Sequence, residues 1–263
     1  MRDNYRRREV PRQTEEVEGQ LEGRNALTEA LKSGRTIDKV FIASGETDRG
    51  LQRLAAQAKE AGAVVVPVDR RKLDAMSTTH SHQGVIALAA AREYFTIDDI
   101  LQEAADRGET PLIVICDELS DPHNLGAILR SAECAGAHGV IIPKRRSVGL
   151  TAVVAKASAG AVEYMKVARV TNINAAMEEL KQKGVWIFGT AAEGSVPMYQ
   201  ADLTGPTAIV IGSEGDGMSR LVRQNCDVTV HIPMKGNITS LNASAAASIL
   251  LYEAVRQRLS KEG

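Results

Sequence analysis

Aromatic residues make up only 3% of this 263-residue chain, with a single tryptophan. That scarcity argues against a platform that reads single-stranded RNA by stacking bases on rows of Phe and Tyr. Cysteine is also rare: Cys116, Cys134 and Cys226 stand far apart, an odd number with no CxxC pair. The amino-terminal stretch has no apolar h-region, so no secretory signal is read there, and reduced thiols in the cytoplasm are the expectation. His80 and His82 are the only close histidine pair, so no metal site is expected. No apolar run approaches the ~18–20 residues of a membrane-spanning helix, so no membrane partner is expected either. An excess of one charge is missing too: 32 Lys+Arg face 33 Asp+Glu, a net charge of −1. A global electrostatic attraction to nucleic acid is therefore absent. Positive charge is local, in Arg6, Arg7, Arg8 and Arg12 near the start and in Lys144, Arg145 and Arg146 mid-chain.

At 44% hydrophobic and 25% charged, the chain has the composition of a globular protein, long enough for one large domain or two small ones. Residues 1–16 are polar and without periodicity, and read as a flexible basic arm. From residue 17 to 92, apolar residues alternate between helical and extended spacing. Leu21, Ala26, Leu27, Ala30 and Leu31 mark a helix, 39–43 a strand, 51–61 a helix, 64–66 a strand, 71–76 a helix and 84–88 a strand. This is a small α/β unit. Residues 93–110 read as a linker and a helix over 97–107, opened by a capping box of Thr96 and Asp99. The remainder, 111–263, alternates again. Strands are expected at 112–116, 140–142, 164–167, 185–189, 208–211 and 228–232, and helices at 123–135, 151–158, 173–183, 217–224 and 242–259. These strands are short, rich in Val and Ile, and not alternating, as in a parallel sheet covered on both faces. Such a sheet binds ligands beyond the carboxyl ends of its strands. The informative loops should follow Cys116, Gly189, Ile211 and Ile232.

Three loops carry chemistry. In the first, Asp121 caps a helix with Pro122 at its first position, and Leu125, Ile128, Leu129 and Ala132 form the core stripe. Arg130 points roughly 150° from that stripe at 100° per residue, off the core face. Asn124 in the first turn reads equally as part of the cap. In the second loop a strand runs into Gly212, Glu214, Gly215 and Gly217 and then a helix, which places Glu214 at a helix N-terminus. These glycines do not fit GxGxxG, and no Lys-Ser/Thr pair makes a P-loop. The third loop runs from Ile232 through Met234 to Ser240 and Asn242, either of which could cap the last helix. That helix opens with seven small residues and continues apolar nearly all round through Tyr252, implying enclosure. None of these three loops contains GxSxG, HExxH, a paired-Asp site or a Cys beside a His. Spacing alone thus gives a glycine-rich ligand site without a covalent nucleophile and names no reaction.

Taken together, Asn124-Leu-Gly-Ala-Ile-Leu-Arg130, Ile211-Gly-Ser-Glu-Gly-Asp-Gly217 and Ile232-Pro-Met with Ser240-Leu-Asn-Ala-Ser244 resemble the three motifs of the SpoU (TrmH-like) class of SPOUT RNA ribose methyltransferases. The match covers about residues 111–259. The segments 22–26 and 82–85 resemble the L30e-like substrate-binding domain found in front of some members. The resemblance implies a deep trefoil knot in 111–263, with the last helix tucked through a preceding loop, a rare arrangement in proteins. It implies S-adenosyl-L-methionine (AdoMet) as cofactor, held by Gly212, Ile232 and Leu241 with Thr190, Met234, Ser240 and Ala243 nearby. It assigns catalysis to Asn124, Arg130, Glu214, Ser240 and Asn242. It further implies a homodimer, no metal, and RNA contact through the front domain, Lys144, Arg145 and Arg146, and the basic arm. An arginine pKa above about 12 makes Arg130 a poor base. Its expected role is to bind a phosphate and the developing oxyanion, with Asn124 and Glu214 holding the arrangement.

The two-domain layout implies large-subunit ribosomal RNA as substrate, methylated at a guanosine ribose of 23S rRNA. Three alternatives stay open: a tRNA ribose methyltransferase, a resistance-type rRNA (adenosine) methyltransferase, and a non-catalytic RNA-binding or ribosome-assembly factor.

Overall fold

A computed structural model describes residues 19–45, 48–191, 196–215 and 217–262. The arm expected over 1–16 lies outside the described residues. In the first unit, β1 (Gln20–Glu22), α1 (Arg24–Lys32), β2 (Ile37–Ala43), α2 (Arg49–Glu60), β3 (Val64–Val68), α3 (Arg70–Met76) and β4 (Val85–Ala89) follow one another. The sheet order is β1-β4-β2-β3. β4 is antiparallel to β1 and β2, and β2 is parallel to β3. The helices bury their apolar stripes: Leu51, Leu54 and Ala58 of α2 face inward, and Asp48 caps its first turn through Leu51 N. One reading needs correction. Leu21 is not part of the first helix; it pairs with Ala87 in the ladder of β1 and β4. Its spacing to Leu27 and Ala30 mimicked a helix, while the backbone groups of β4 gave it a strand partner.

The second unit begins with α4 (Ile97–Arg107), whose capping box forms between Thr96 and Asp99. Next come β5 (Leu112–Cys116), α5 (Pro122–Cys134), β6 (Gly139–Pro143), α6 (Ala152–Ala157), β7 (Val167–Val170), α7 (Ile173–Gln182) and β8 (Trp186–Thr190). The chain ends with β9 (Val196–Pro197), β10 (Thr207–Ile211), α8 (Arg220–Gln224), β11 (Val228–His231) and α9 (Ala243–Glu262). Among the described residues, seven strands are ordered β7-β6-β5-β10-β8-β11-β9, and every pairing between them is parallel. Side chains alternate across β5. Leu112, Val114 and Cys116 join the core under α5, α6 and α9. Ile113 and Ile115 join the one under α4, α7 and α8. Both faces of the sheet are thus covered, which explains the unbroken apolar strands. Each fully buried Ile, Val or Leu adds about 1.5–3 kcal/mol.

Three further readings shift, and one short strand was not read at all. The strand expected from Tyr164 starts at Val167, because residues 161–163 form a single 3-10 turn and Tyr164 is exposed. The helix expected from Gly217 starts at Arg220, because Ser213 and Gly217 exchange backbone hydrogen bonds and close a turn first. β9, two residues long, left no pattern in the sequence. α9 is not enclosed all round within one chain: Leu250, Leu251 and Ala254 are buried, but Tyr252 is 51% exposed. Its small residues do let it lie close to α5, where the Ser131 and Ser248 hydroxyls are 2.7 Å apart.

Candidate active site

β8, β10 and β11 end on the same edge of the sheet, and their continuations converge with the start of α9. Between them lies a cavity of about 790 Å³. Thr190, Gly212, Ile232, Met234, Ser240, Leu241 and Ala243 all line it, together with Glu214 and Asn242. Met218, Ala246 and Leu250 line it as well, residues that sequence reasoning did not single out. Its volume falls in the range of small-molecule sites, about 300–1,000 Å³.

The second loop is built for close approach. A Cβ on Gly212 would lie 2.2 Å from Gly217 C and from Met218 N. Only glycine lets β10 leave the sheet against the returning turn. That turn is closed by the reciprocal backbone bonds of Ser213 and Gly217, each 3.0 Å. Its far end is held by Asp117, whose buried carboxylate accepts from Ser219 N at 2.8 Å. Asp117 N also donates to Ile211 O at 2.8 Å, so this residue ties β5, β10 and the turn together. Sequence reasoning missed it; its only signal was an acid directly after an apolar strand. Glu214 needs a matching correction. It sits in the turn, exposed; Ser219 holds the N-cap position of α8 without a side-chain cap bond, and Asp117 accepts from the Ser219 N–H instead.

The first and third motifs meet through their asparagines. Asn242 Nδ2 donates to Asn124 Oδ1 at 2.9 Å, and Asn124 Nδ2 donates to Asp121 Oδ2 at 3.1 Å. Asn242 Oδ1 meanwhile caps α9, accepting from Ser244 N at 3.0 Å and Ala245 N at 3.3 Å. Asn242, not Ser240, is therefore the cap. Asn124 is buried and Ser240 is exposed at the cavity. Arg130 lies exposed on α5 and outside the cavity lining. The structure therefore brings Asn124 to Asn242 beside the cavity and leaves Arg130 apart from it within one chain.

Lys144, Arg145 and Arg146 follow β6. Arg145 and Arg146 are exposed, and Arg146 pairs with Glu118 at 3.0 Å. Lys144 is half-buried, with its Nζ 3.9 Å from where a Cβ on Gly62 would stand, so it lies at the seam between the two units. Burial pushes the Cys116 thiol, and with it Cys226, up to about 12. Neither is a thiolate nucleophile. Among the described residues, no group of three or more His, Cys, Asp or Glu could hold a metal ion. No helix among them is long and apolar enough to cross a membrane.

Comparison with known proteins agrees with this geometry. Residues 111–252 match the SpoU rRNA Methylase family, and residues 20–95 match the RNA 2′-O ribose methyltransferase substrate binding domain. A Bacillus subtilis protein named for the TrmH family of tRNA/rRNA methyltransferases, YacO, is 49% identical over 236 residues, covering 90% of this chain and 94% of the relative. The 23S rRNA (guanosine-2′-O-)-methyltransferase RlmB of Ralstonia nicotianae is 44% identical over 240 residues, covering 90% and 95%. Among solved structures, the SpoU methyltransferase AviRb of Streptomyces viridochromogenes in complex with AdoMet superposes with a TM-score of 0.59 at 27% identity, covering 92% of each chain. The glycine cradle, the cavity and the joined asparagine motifs fit that cofactor. The chain belongs to the SpoU methyltransferase family and is an AdoMet-dependent RNA ribose 2′-O-methyltransferase.

Proposed function

We propose that the chain methylates the ribose 2′-hydroxyl of a guanosine in 23S rRNA and works as a homodimer. The observation that carries the substrate assignment is the 44% identity to a 23S rRNA guanosine enzyme across both units, front domain included. When bound, AdoMet supplies a methyl group already activated on a sulfonium. The chain's task is alignment and charge control at the accepting oxygen.

Placement supports the following roles. Gly212, Ile232 and Leu241 offer backbone to the cofactor, with Thr190, Met234, Ser240 and Ala243 completing the wall. Thr190 Oγ1 donates to Val210 O at 2.8 Å, which fixes that wall to β10. Asn124 and Asn242 hold the first and third motifs in register. Arg130 binds an RNA phosphate and the developing 2′-oxyanion with its planar fork. Its exposure outside the cavity lining supports the dimer, in which Arg130 of one protomer serves RNA bound across the interface. The half-exposed Tyr252 on α9 gives that interface an aromatic anchor. The insertion of β10 between β5 and β8, with the small-residue start of α9 lining the cavity beside it, supports a threaded chain end. Arg145 and Arg146 reach RNA phosphates directly, and Lys144 does so from the seam.

The test is methyl transfer from labelled AdoMet to 23S rRNA transcript and to total tRNA, followed by mapping of 2′-O-methyl positions. Labelled guanosine ribose in 23S rRNA supports the assignment; label confined to tRNA or to adenosine overturns it.

A further inference from the structure

The two units meet through a buried charged joint. Asp38 of β2 and Arg169 of β7 have side chains only 5% and 7% exposed, with Arg169 Nη1 2.6 Å from Asp38 Oδ1. Arg169 Nη2 also donates to the Asp38 carbonyl at 2.9 Å. Tyr94, in the connection between the units, donates its hydroxyl to Asp38 Oδ1 at 2.8 Å and accepts from Leu150 N at 2.9 Å. The Arg169 guanidinium lies 5.2 Å from the Tyr94 ring centre.

Three separate features of the chain serve this contact. The register of β2 against β4 shifts between Ile37 and Lys39, so Asp38 sits at an irregularity in the ladder. Such irregularities can re-aim a side chain, and here the irregularity falls at the acid that meets Arg169. Gly149 leaves the room: a Cβ there would lie 2.2 Å from Asp38 Oδ2. The connection itself is stitched to the second unit by Ala91 N to Leu150 O at 2.6 Å and Phe95 N to Val167 O at 2.8 Å. None of these residues lines the cofactor cavity. A buried ion pair is a weak source of stability, and in some proteins such pairs are kept for the geometry they fix.

We propose that Asp38, Arg169 and Tyr94 are positioning residues. They lock the RNA-binding front unit onto the catalytic sheet, and this fixed offset selects which nucleotide reaches the cavity. The inference rests on the family's RNA methyl transfer and goes beyond it: substrate choice resides in a joint outside the cofactor cavity.

The experiment uses the full chain with Arg169→Ala and two milder variants, Asp38→Asn and Tyr94→Phe, in case the first does not fold. Three readouts are taken: solution X-ray scattering, calorimetry with AdoMet, and methyl incorporation into total cellular RNA and 23S transcript with site mapping. The joint is supported if the distance distribution broadens, AdoMet affinity stays within twofold of wild type, and kcat/KM for RNA falls tenfold or more or spreads over additional nucleotides. Scattering unchanged in all folded variants overturns the proposal. So does a broadened distribution with RNA kinetics and site unchanged, and so does parallel loss of AdoMet binding, which marks a merely structural role. If wild type labels total RNA but not the 23S transcript, it is the 23S assignment that fails, and the joint is judged on the labelled RNA.

Discussion

Gly212→Ala is the sharpest perturbation of the cofactor site. The added methyl would stand 2.2 Å from Gly217 C and Met218 N and 2.6 Å from Gly217 O, all backbone atoms. Ordinary carbon contacts lie near 3.5–4.0 Å, so the turn must retreat by about 1 Å or more, and no rotamer change can relieve it. Overpacking of this kind costs about 1–3 kcal/mol. If the free protein carries the strain, Tm falls by about 2–4 °C per kcal/mol, a total of about 2–12 °C. If the turn relaxes and binding must restore it, the same energy appears as a ~5- to 150-fold weaker AdoMet Kd. Thermal unfolding and calorimetry on the same samples divide the cost between the two. Gly205→Ala is the control, because a Cβ there meets nothing within 4 Å. A Gly212→Ala protein with Tm within 1 °C and Kd within twofold of wild type would refute the close-approach argument.

Arg130→Lys keeps the charge but loses the fork, and kcat/KM for RNA is expected to fall on the order of 10²-fold, the scale of a lost oxyanion donor. AdoMet affinity should stay within twofold, because Arg130 lies outside the cavity lining; near-full turnover in radiolabel assays would contradict the assigned role. Iodoacetamide at pH 8 should label exposed Cys134 and spare Cys116 and Cys226, whose thiols burial pushes up to about 12; mass spectrometry of the native protein decides this. Burial alone would raise the Glu22 carboxyl, but hydrogen bonds from Ser77, Thr79, Thr78 N and Gln20 outweigh it and hold the group well below its usual 4.5. Its stabilisation is therefore complete above about pH 4.5 and fades as pH falls toward the folded value. Glu22→Gln should cost the front unit about 1–3 kcal/mol at pH 7. The gap to wild type in denaturant melts should narrow below pH 4; a gap constant from pH 7 to 2 would contradict this.

The parallel sheet was legible because its strands are short runs of Val and Ile with both faces buried. The caps of α4 and α5 were legible because Thr96, Asp99, Asp121 and Pro122 act within a few residues of themselves. The cavity wall was legible as three loops at strand ends. What escaped the sequence depends on distant partners. Leu21 chose a strand because β4 offered an edge, and Glu214 lost its helix start to a turn closed by Ser213 and Gly217. Asp117 took that place through Ser219, 102 residues away in sequence. The Asp38–Arg169 pair joins residues 131 apart, and no local pattern announces it. Arg130 was read correctly as off the core face, but a helical wheel cannot say that it also misses the cavity of its own chain.

The most direct test of ribose methylation at this cavity is nucleoside mass spectrometry of RNA incubated with the protein and AdoMet carrying a deuterated methyl group. Heavy 2′-O-methylguanosine is the expected product, with its yield reduced when Gly212 is replaced by Ala or Arg130 by Lys. Heavy label on a base, or none on any ribose while AdoMet still binds, would contradict it.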